Sequence, residues 1–206
     1  MEIIKKYFSD FTPRQLEQIQ VLERLYPEWN SKINVISRKD IDNLEVNHIL
    51  HSLAIARFIR FIPGTCVLDL GTGGGFPGIP LALCFPDVQF MLVDRTGKKL
   101  AVAKDVAREA GITNVDFYHG DVKEVKGEFH FVVSRAVMDL NDMVPLVRKL
   151  ISREGHNALP NGLICLKGGD LEAEIRRFRK SVIVEDLMEY FPQEYFKSKK
   201  IVYLPI

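Results

Sequence analysis

The stretch from residue 65 to residue 83, TCVLDLGTGGGFPGIPLAL, constrains the fold of this chain more than any other. An apolar run of strand length enters a turn with glycine at positions 71, 73, 74, 75 and 78, and a second apolar run leaves it. Glycine brings no side chain to a core, so glycines gathered here mark a place where something approaches the backbone closely. In an open α/β sheet the first strand-to-helix turn lies beside the crevice where ligands bind, and the following helix presents unpaired N–H groups there. Pro77 and Pro80 suit the first turn of that helix, which can do without their N–H groups.

The texture after this turn repeats the same theme. VQFMLVD reads as a strand, GKKLAVAKDVAREAG as an amphipathic helix stopped by Gly111, and NVDFYHGD and FHFVVSRA as further strands. LNDMVPLVRKLI reads as a helix, NGLICLKGG as a strand entered through an Asn-Gly turn, and LEAEIRRFRK as a charged helix. SVIVEDLMEY and KKIVYLPI read as an antiparallel pair at the sheet edge. This alternation predicts a mostly parallel, seven-stranded sheet with helices on both faces.

Upstream, residues 1–63 read as a helical extension packed on an α/β domain of residues 64–206. In FTPRQLEQIQVLERLY, Thr12 is a good N-cap, Pro13 fits the first helical position and Gln15 completes a capping box. Leu16, Ile19, Leu22 and Leu25 or Tyr26 then recur on one face, and Pro27 is expected to end the helix. A second helix is expected from about Asn43 to Phe61, after a polar connector, EWNSKINVISRKD.

The 206 residues suffice for one well-buried domain with a small appendage. A formal charge of +1 excludes a strongly basic nucleic-acid binder but leaves room for a local basic patch. Cys66, Cys84 and Cys165 are scattered and read as small apolar residues in a reducing compartment. MEIIKKYFSDF is too charged for a signal peptide, and no apolar run is long enough to span a bilayer, so a cytoplasmic protein without membrane contact is expected. No metal is expected, because no His, Cys or carboxylate cluster has ligand spacing.

Two cofactor classes use such a glycine turn. Gly73, Gly75 and Gly78 satisfy the dinucleotide pattern G-x-G-x-x-G, a weak match within so glycine-rich a run. Asp69 argues against it, since a carboxylate beside the turn disfavours a pyrophosphate and favours a cationic ligand such as S-adenosylmethionine. Asp94 ends the next strand, where a carboxylate can accept both ribose hydroxyls. Asp121, or the backbone of Val122 and Lys123, ends the third strand where an adenine edge would lie.

The methyl acceptor is narrowed by absences. The Asn/Asp-Pro-Pro-aromatic turn used on exocyclic amines is replaced by SRAVMDL, and no cysteine is placed as a nucleophile for pyrimidine C5. Guanine N7 carries a lone pair and no proton, so its methylation needs alignment and exclusion of water rather than a general base.

RQLEQIQVLERLYPEWNSKINVIS, HILHSL, DLGTGGGFPGIPLAL, LVDRTGKK, VVSRAV and LICLKGG together resemble the RsmG (GidB) family. Its members methylate guanine N7 in the decoding-region loop of bacterial 16S ribosomal RNA. The resemblance runs from about residue 12 to 170 and implies a Rossmann-like class I S-adenosylmethionine-dependent methyltransferase acting on that RNA, read here as a monomer with no DNA partner. It also implies that Gly71, Gly73 and Phe76 contact the cofactor, that Asp94 holds its ribose, and that Val122 and Lys123 lie against its adenine. Arg135 and Lys167 are expected at the methyl-transfer site, Arg135 meeting guanine, phosphate or the cofactor carboxylate, with Asn34 and His48 joining them on the RNA.

Departures from the family pattern matter. His51 stands where relatives carry Asp in HI-x-DS, and Asp121-Val122-Lys123 replaces Arg-Ala-Glu, which shifts the adenine contact toward backbone. Relatives often carry a basic C-terminal tail, where this sequence ends in VYLPI. Trp29 reads mainly as a core residue, while Asn34 either caps a turn or meets RNA. Arg176, Arg177, Arg179 and Lys180 form a solvated helix face or, with Arg148, Lys149 and Arg153, a phosphate-tracking patch. Rival readings are a methyltransferase for another RNA or small molecule, a non-catalytic RNA-binding assembly factor, and an NAD-linked oxidoreductase.

Overall fold

A computed structural model describes residues 1–37 and 40–206 of the chain. Seven strands form one sheet: β1 Cys66–Leu70, β2 Gln89–Asp94, β3 Val115–His119, β4 Phe131–Arg135, β5 Gly162–Gly168, β6 Ile183–Asp186 and β7 Lys199–Pro205. Their spatial order is β3-β2-β1-β4-β5-β7-β6, with β7 antiparallel to both its neighbours. The chain winds outward from β1 to β3, then crosses back to β4 beside β1. The C-terminal ends of β1 and β4 therefore flank the point where strand order reverses, the place such sheets bind ligands.

Helices α1 Glu2–Tyr7, α2 Pro13–Asn30, α3 His51–Phe58, α4 Gly78–Cys84 and α5 Gly97–Glu109 cover one face. Val67, Phe90, Leu92, Phe131, Val133 and Ile164 point into them. On the other face Leu68, Leu70, Val132, Leu163 and Cys165 meet α6 Leu140–Val147 and the residues around α7 Glu172–Ile175. The first of these cores continues unbroken from Ile4 and Leu22 to the strands, across residue 63.

The capping box of α2 forms as its sequence predicts, with Thr12 Oγ1 accepting from Gln15 N and Gln15 Oε1 accepting from Thr12 N. Gln15 also donates to Leu83 O and Cys84 O, and Gln18 to Ala110 O, so α2 satisfies the carbonyl ends of α4 and α5. Pro27 does not end α2, which runs on to Asn30. The last turn persists because it is anchored elsewhere: Ser31 N donates to Pro27 O, and Trp29 Nε1 donates to Asp105 Oδ2 on α5 at 2.8 Å.

The second expected helix is not uniform. A 3-10 turn at Ile41–Asn43 and a π-helical stretch at Glu45–Leu50 precede α3, and Ile59 is extended, which buries both Ile59 and Phe61. The connector before it includes residues 38 and 39, which lie outside the described residues. LEAEIRRFRK forms only the short α7 and a 3-10 turn at Arg176–Phe178. Among the described residues no helix is long and apolar enough to cross a membrane.

Candidate active site

β1 ends at Leu70, and the next residues bend sharply: Gly71, Gly73 and Gly75 have φ of +70°, +57° and +107°. A Cβ on Gly71 would lie 2.6 Å from Val137 Cγ2, so this glycine is needed for close approach as well as for its backbone angle. Asp69 shares a sheet face with Val67, because alternate strand residues point the same way. Its carboxylate is buried beneath α4, where Oδ2 accepts from Thr72 Oγ1 at 2.6 Å and from Gly78 N at 2.8 Å. Burial pushes its pKa up to about 7, against the pull of those two hydrogen bonds. Asp69 therefore braces the loop from inside. With 0% of its surface exposed it does not offer the ligand contact expected of it.

On the outer side of the loop lies a cleft of about 340 Å³, walled by Gly71, Asp94, Gly120, Val122, Val137 and Met138 among others. Asp94 Oδ2 accepts from Gly73 N and Oδ1 from Thr96 N, both at 2.7 Å. Each oxygen retains a lone pair, so this half-buried carboxylate can still accept hydroxyl donors from the cleft. Val122 is a buried wall residue, whereas the Lys123 side chain is exposed. Asp121 caps the turn by accepting from Lys123 N and pairs with Arg95, which occupies its carboxylate.

Arg135 ends β4 on the opposite side of the loop, just before Ala136, whose φ of +52° is the one positive non-glycine value among the described residues. The guanidinium is half-buried, sits 5.1 Å from the Phe76 ring centre, and donates to Asn47 O at 3.2 Å and His48 Nδ1 at 2.8 Å. Burial lowers its pKa from the ordinary value, yet a guanidinium keeps its charge. Among the described residues no carboxylate lies within ion-pairing distance of it. Burial and the adjacent guanidinium take the His48 pKa down to about 3, so the ring is neutral with its proton on Nε2, a buried donor without a partner. Tyr195 OH donates to Asn47 O at 3.0 Å and accepts from His51 Nδ1 at 3.0 Å. His51 Nε2 is likewise buried and unpartnered.

The structure thus brings Arg135, His48, His51 and Phe76 together, and Gly71, Asp94 and Val122 in the neighbouring cleft. Besides Asp69, two further expectations are corrected. Phe76 is 4% exposed and packs on Tyr26, His48 and Arg135, facing the N-terminal helices instead of the cleft. Lys167 lies on the other sheet face from Arg135, whose strand partner is Leu166. Its side chain is 9% exposed, paired with Glu174 and donating to Met138 O, so it faces neither solvent nor the guanidinium. Asn34 is exposed, and Asn30 Oδ1 caps the turn instead by accepting from Val35 N and Ile36 N. Val35 covers Gly74, which leaves Asn34 beside the glycine loop.

Sequence reasoning missed Thr72, Asn47, Tyr195 and the hydroxyl of Tyr26, which donates to Gly74 O at 2.8 Å. Tyr26 carried a signal, as a polar-tipped aromatic on an apolar helix face. Tyr195 carried none, being 144 residues from His51.

A family model described as rRNA small subunit methyltransferase G (GidB) matches residues 15–202. The chain belongs to this family. The ribosomal RNA small subunit methyltransferase G of Porphyromonas gingivalis is 57% identical over 206 residues, covering 100% of this chain and 93% of that one. Its counterpart from Bacteroides fragilis is 56% identical, covering 100% of both chains. A glycopeptide N-methyltransferase solved with S-adenosylmethionine superposes with a TM-score of 0.59 at 11% identity, over 78% of this chain and 94% of that one. That last likeness is one of fold alone, a Rossmann-like class I methyltransferase fold.

Proposed function

We propose that this chain transfers a methyl group from S-adenosylmethionine to N7 of a guanine in the decoding-region loop of bacterial 16S ribosomal RNA, N7 attacking directly without a general base. The cofactor is S-adenosylmethionine, in keeping with the family. The residues of the 340 Å³ cleft suit it: Gly71 leaves room a Cβ would fill, Asp94 can accept ribose hydroxyls, and Val122 and Met138 offer apolar walls to adenine. When bound, this cofactor supplies an electrophilic methyl group on a cationic sulfur. The same reading takes the protein as a cytoplasmic monomer acting on RNA and not on DNA.

One observation carries the choice of N7. Beside the cleft stands a half-buried cation whose hydrogen-bond partners are neutral, and among the described residues the free ring nitrogen beside it, His51 Nε2, is sealed from solvent and held by burial well below its ordinary pKa, a poor proton acceptor. His48 Nδ1 is occupied by Arg135 and its proton is on Nε2, while the Asp69 carboxylate has no exposed surface. Methylating an amine releases a proton that such a site cannot accept. Methylating N7 releases none. Arg135 holds a phosphate or the O6 edge of the guanine, as guanidinium groups do, and Asn34 and His48 flank the entering RNA.

The test is incubation with labelled cofactor and 16S ribosomal RNA lacking the modification, as naked RNA and as small subunits, followed by nuclease digestion and chromatography. Label in 7-methylguanosine is expected, with Arg135→Ala lowering the rate at least 100-fold and leaving cofactor affinity within about threefold. Label on an exocyclic amine or on no RNA form, or calorimetric binding of NAD in place of S-adenosylmethionine, would overturn the reading.

A further inference from the structure

A concavity of about 530 Å³ lies apart from the cofactor cleft. It lies behind α6, walled by Arg148, Lys149 and Arg153 together with Glu128 and Glu154. A second cleft of about 330 Å³ shares Pro145 and Arg148 with it and adds Arg177. All four cations are exposed, and among the described residues none has a carboxylate within ion-pairing distance. Glu128 accepts from Ser152 Oγ at 2.9 Å, and within the Arg176–Lys180 cluster only Arg179 is paired, with Glu172.

This surface adjoins the candidate active site through α6 and the turn after β3. Leu146 lines the cofactor cleft while its neighbour Pro145 lines both basic clefts. Lys149 Nζ reaches Lys123 O at 3.5 Å, and Lys123 follows the cleft residue Val122. In a chain of net charge +1, such a run of unpaired cations beside the methyl-transfer site is a local field that the whole-chain charge conceals. Arg148 and Lys149 alone would be explained as complements to the C-terminal end of α6. Arg153 and Arg177 lie on other segments, and that explanation does not reach them.

We propose that the surface running from Lys123 over Lys149, Arg148 and Arg153 to Arg177 holds the phosphate backbone of the RNA substrate outside the methyl-transfer site. The proposal rests on the RNA reading above and extends it: the reacting guanine enters at Arg135, and flanking nucleotides follow α6 to the far end of the sheet. The contacts are to phosphate, so they position the RNA without selecting sequence.

The experiment measures binding of the full chain to 16S ribosomal RNA by filter retention across a salt series, for wild type and for Arg148→Gln/Lys149→Gln/Arg153→Gln. Three lost phosphate contacts reduce the slope of log affinity against log salt by about 2, so the wild-type advantage shrinks roughly 20-fold between about 50 and 200 mM salt. Arg177→Gln reduces the slope by about 0.7. Calorimetric affinity for S-adenosylmethionine stays unchanged in both variants, and in a methyl-transfer assay KM rises while kcat holds. Equal slopes for wild type and the triple variant overturn the proposal even if methyl transfer to N7 is found. A reduced slope supports it even if the methyl group lands elsewhere, in which case the N7 reading fails alone.

Discussion

Replacing Asp69 with Asn makes a sharp test of the buried brace. An amide can place its oxygen where Oδ2 now accepts from Thr72 Oγ1 and Gly78 N, so the loop geometry survives while the titrating group is removed. Burial raises the folded pKa of the wild-type carboxyl to about 7, from 3.8 for an Asp side chain in the unfolded chain. Between those values the native state holds a proton that the unfolded state has released, so stability falls as pH rises through this window. The contribution is full below the unfolded pKa and lost once pH passes the folded one. One pKa unit is worth about 1.36 kcal/mol, so Asp69 makes wild type about 2.5 kcal/mol less stable at about pH 8 than at about pH 5. His48 works in the opposite sense, since its pKa is lowered to about 3, but it is common to both proteins and cancels in their difference. Urea unfolding of wild type and Asp69→Asn at several pH values, with the two free energies subtracted, reads the effect directly. The variant gains on wild type as pH rises and the difference levels off above about pH 8. Parallel curves over that range would refute the argument that Asp69 is an inward-facing, desolvated carboxyl.

Three further outcomes follow from particular contacts. Gly71→Ala meets both a left-handed backbone angle and Val137 Cγ2 at 2.6 Å, so calorimetric affinity for S-adenosylmethionine falls at least tenfold, an effect of about 1.4 kcal/mol or more. Tyr195→Phe removes the hydroxyl joining His51 to Asn47 O, which loosens the carbonyl that Arg135 holds. It raises KM for RNA severalfold with little change in cofactor affinity and costs about 1–3 kcal/mol in urea unfolding. Lys167→Met leaves the largely buried Glu174 without its cation and destabilises the fold by about 3 kcal/mol, and adding Glu174→Gln restores most of it. The double variant keeps its kcat for methyl transfer, a result a catalytic Lys167 would not allow.

Much of the architecture was legible in the sequence because it is governed by local signals. Glycine at positive φ, strand-length apolar runs, the Thr12–Gln15 cap and Gly111 after α5 each report nearby backbone geometry. The position of Asp94 beside the glycine loop was legible for the same reason, since a carboxylate closing the second strand lies one turn away from that loop in any sheet wound this way. Pro27 shows the limit of such signals: its cost to a helix is real, but Trp29 anchored on Asp105 outweighs it.

Tertiary structure decided the direction in which the chemistry faces. The run LICLK is apolar throughout its buried part, as strands covered on both faces are, so it carries no alternation to tell which side Lys167 takes. Only the pairing of Leu166 with Arg135 places it on the far face, against Glu174. Asp69 turns inward for the same reason of pleat. The joining of Asn47, His51, Arg135 and Tyr195 depends on residues brought together from both ends of the chain and the middle of the sheet. A sequence states which groups are present and how the backbone bends near them, whereas the sheet's order and register determine which of those groups meet.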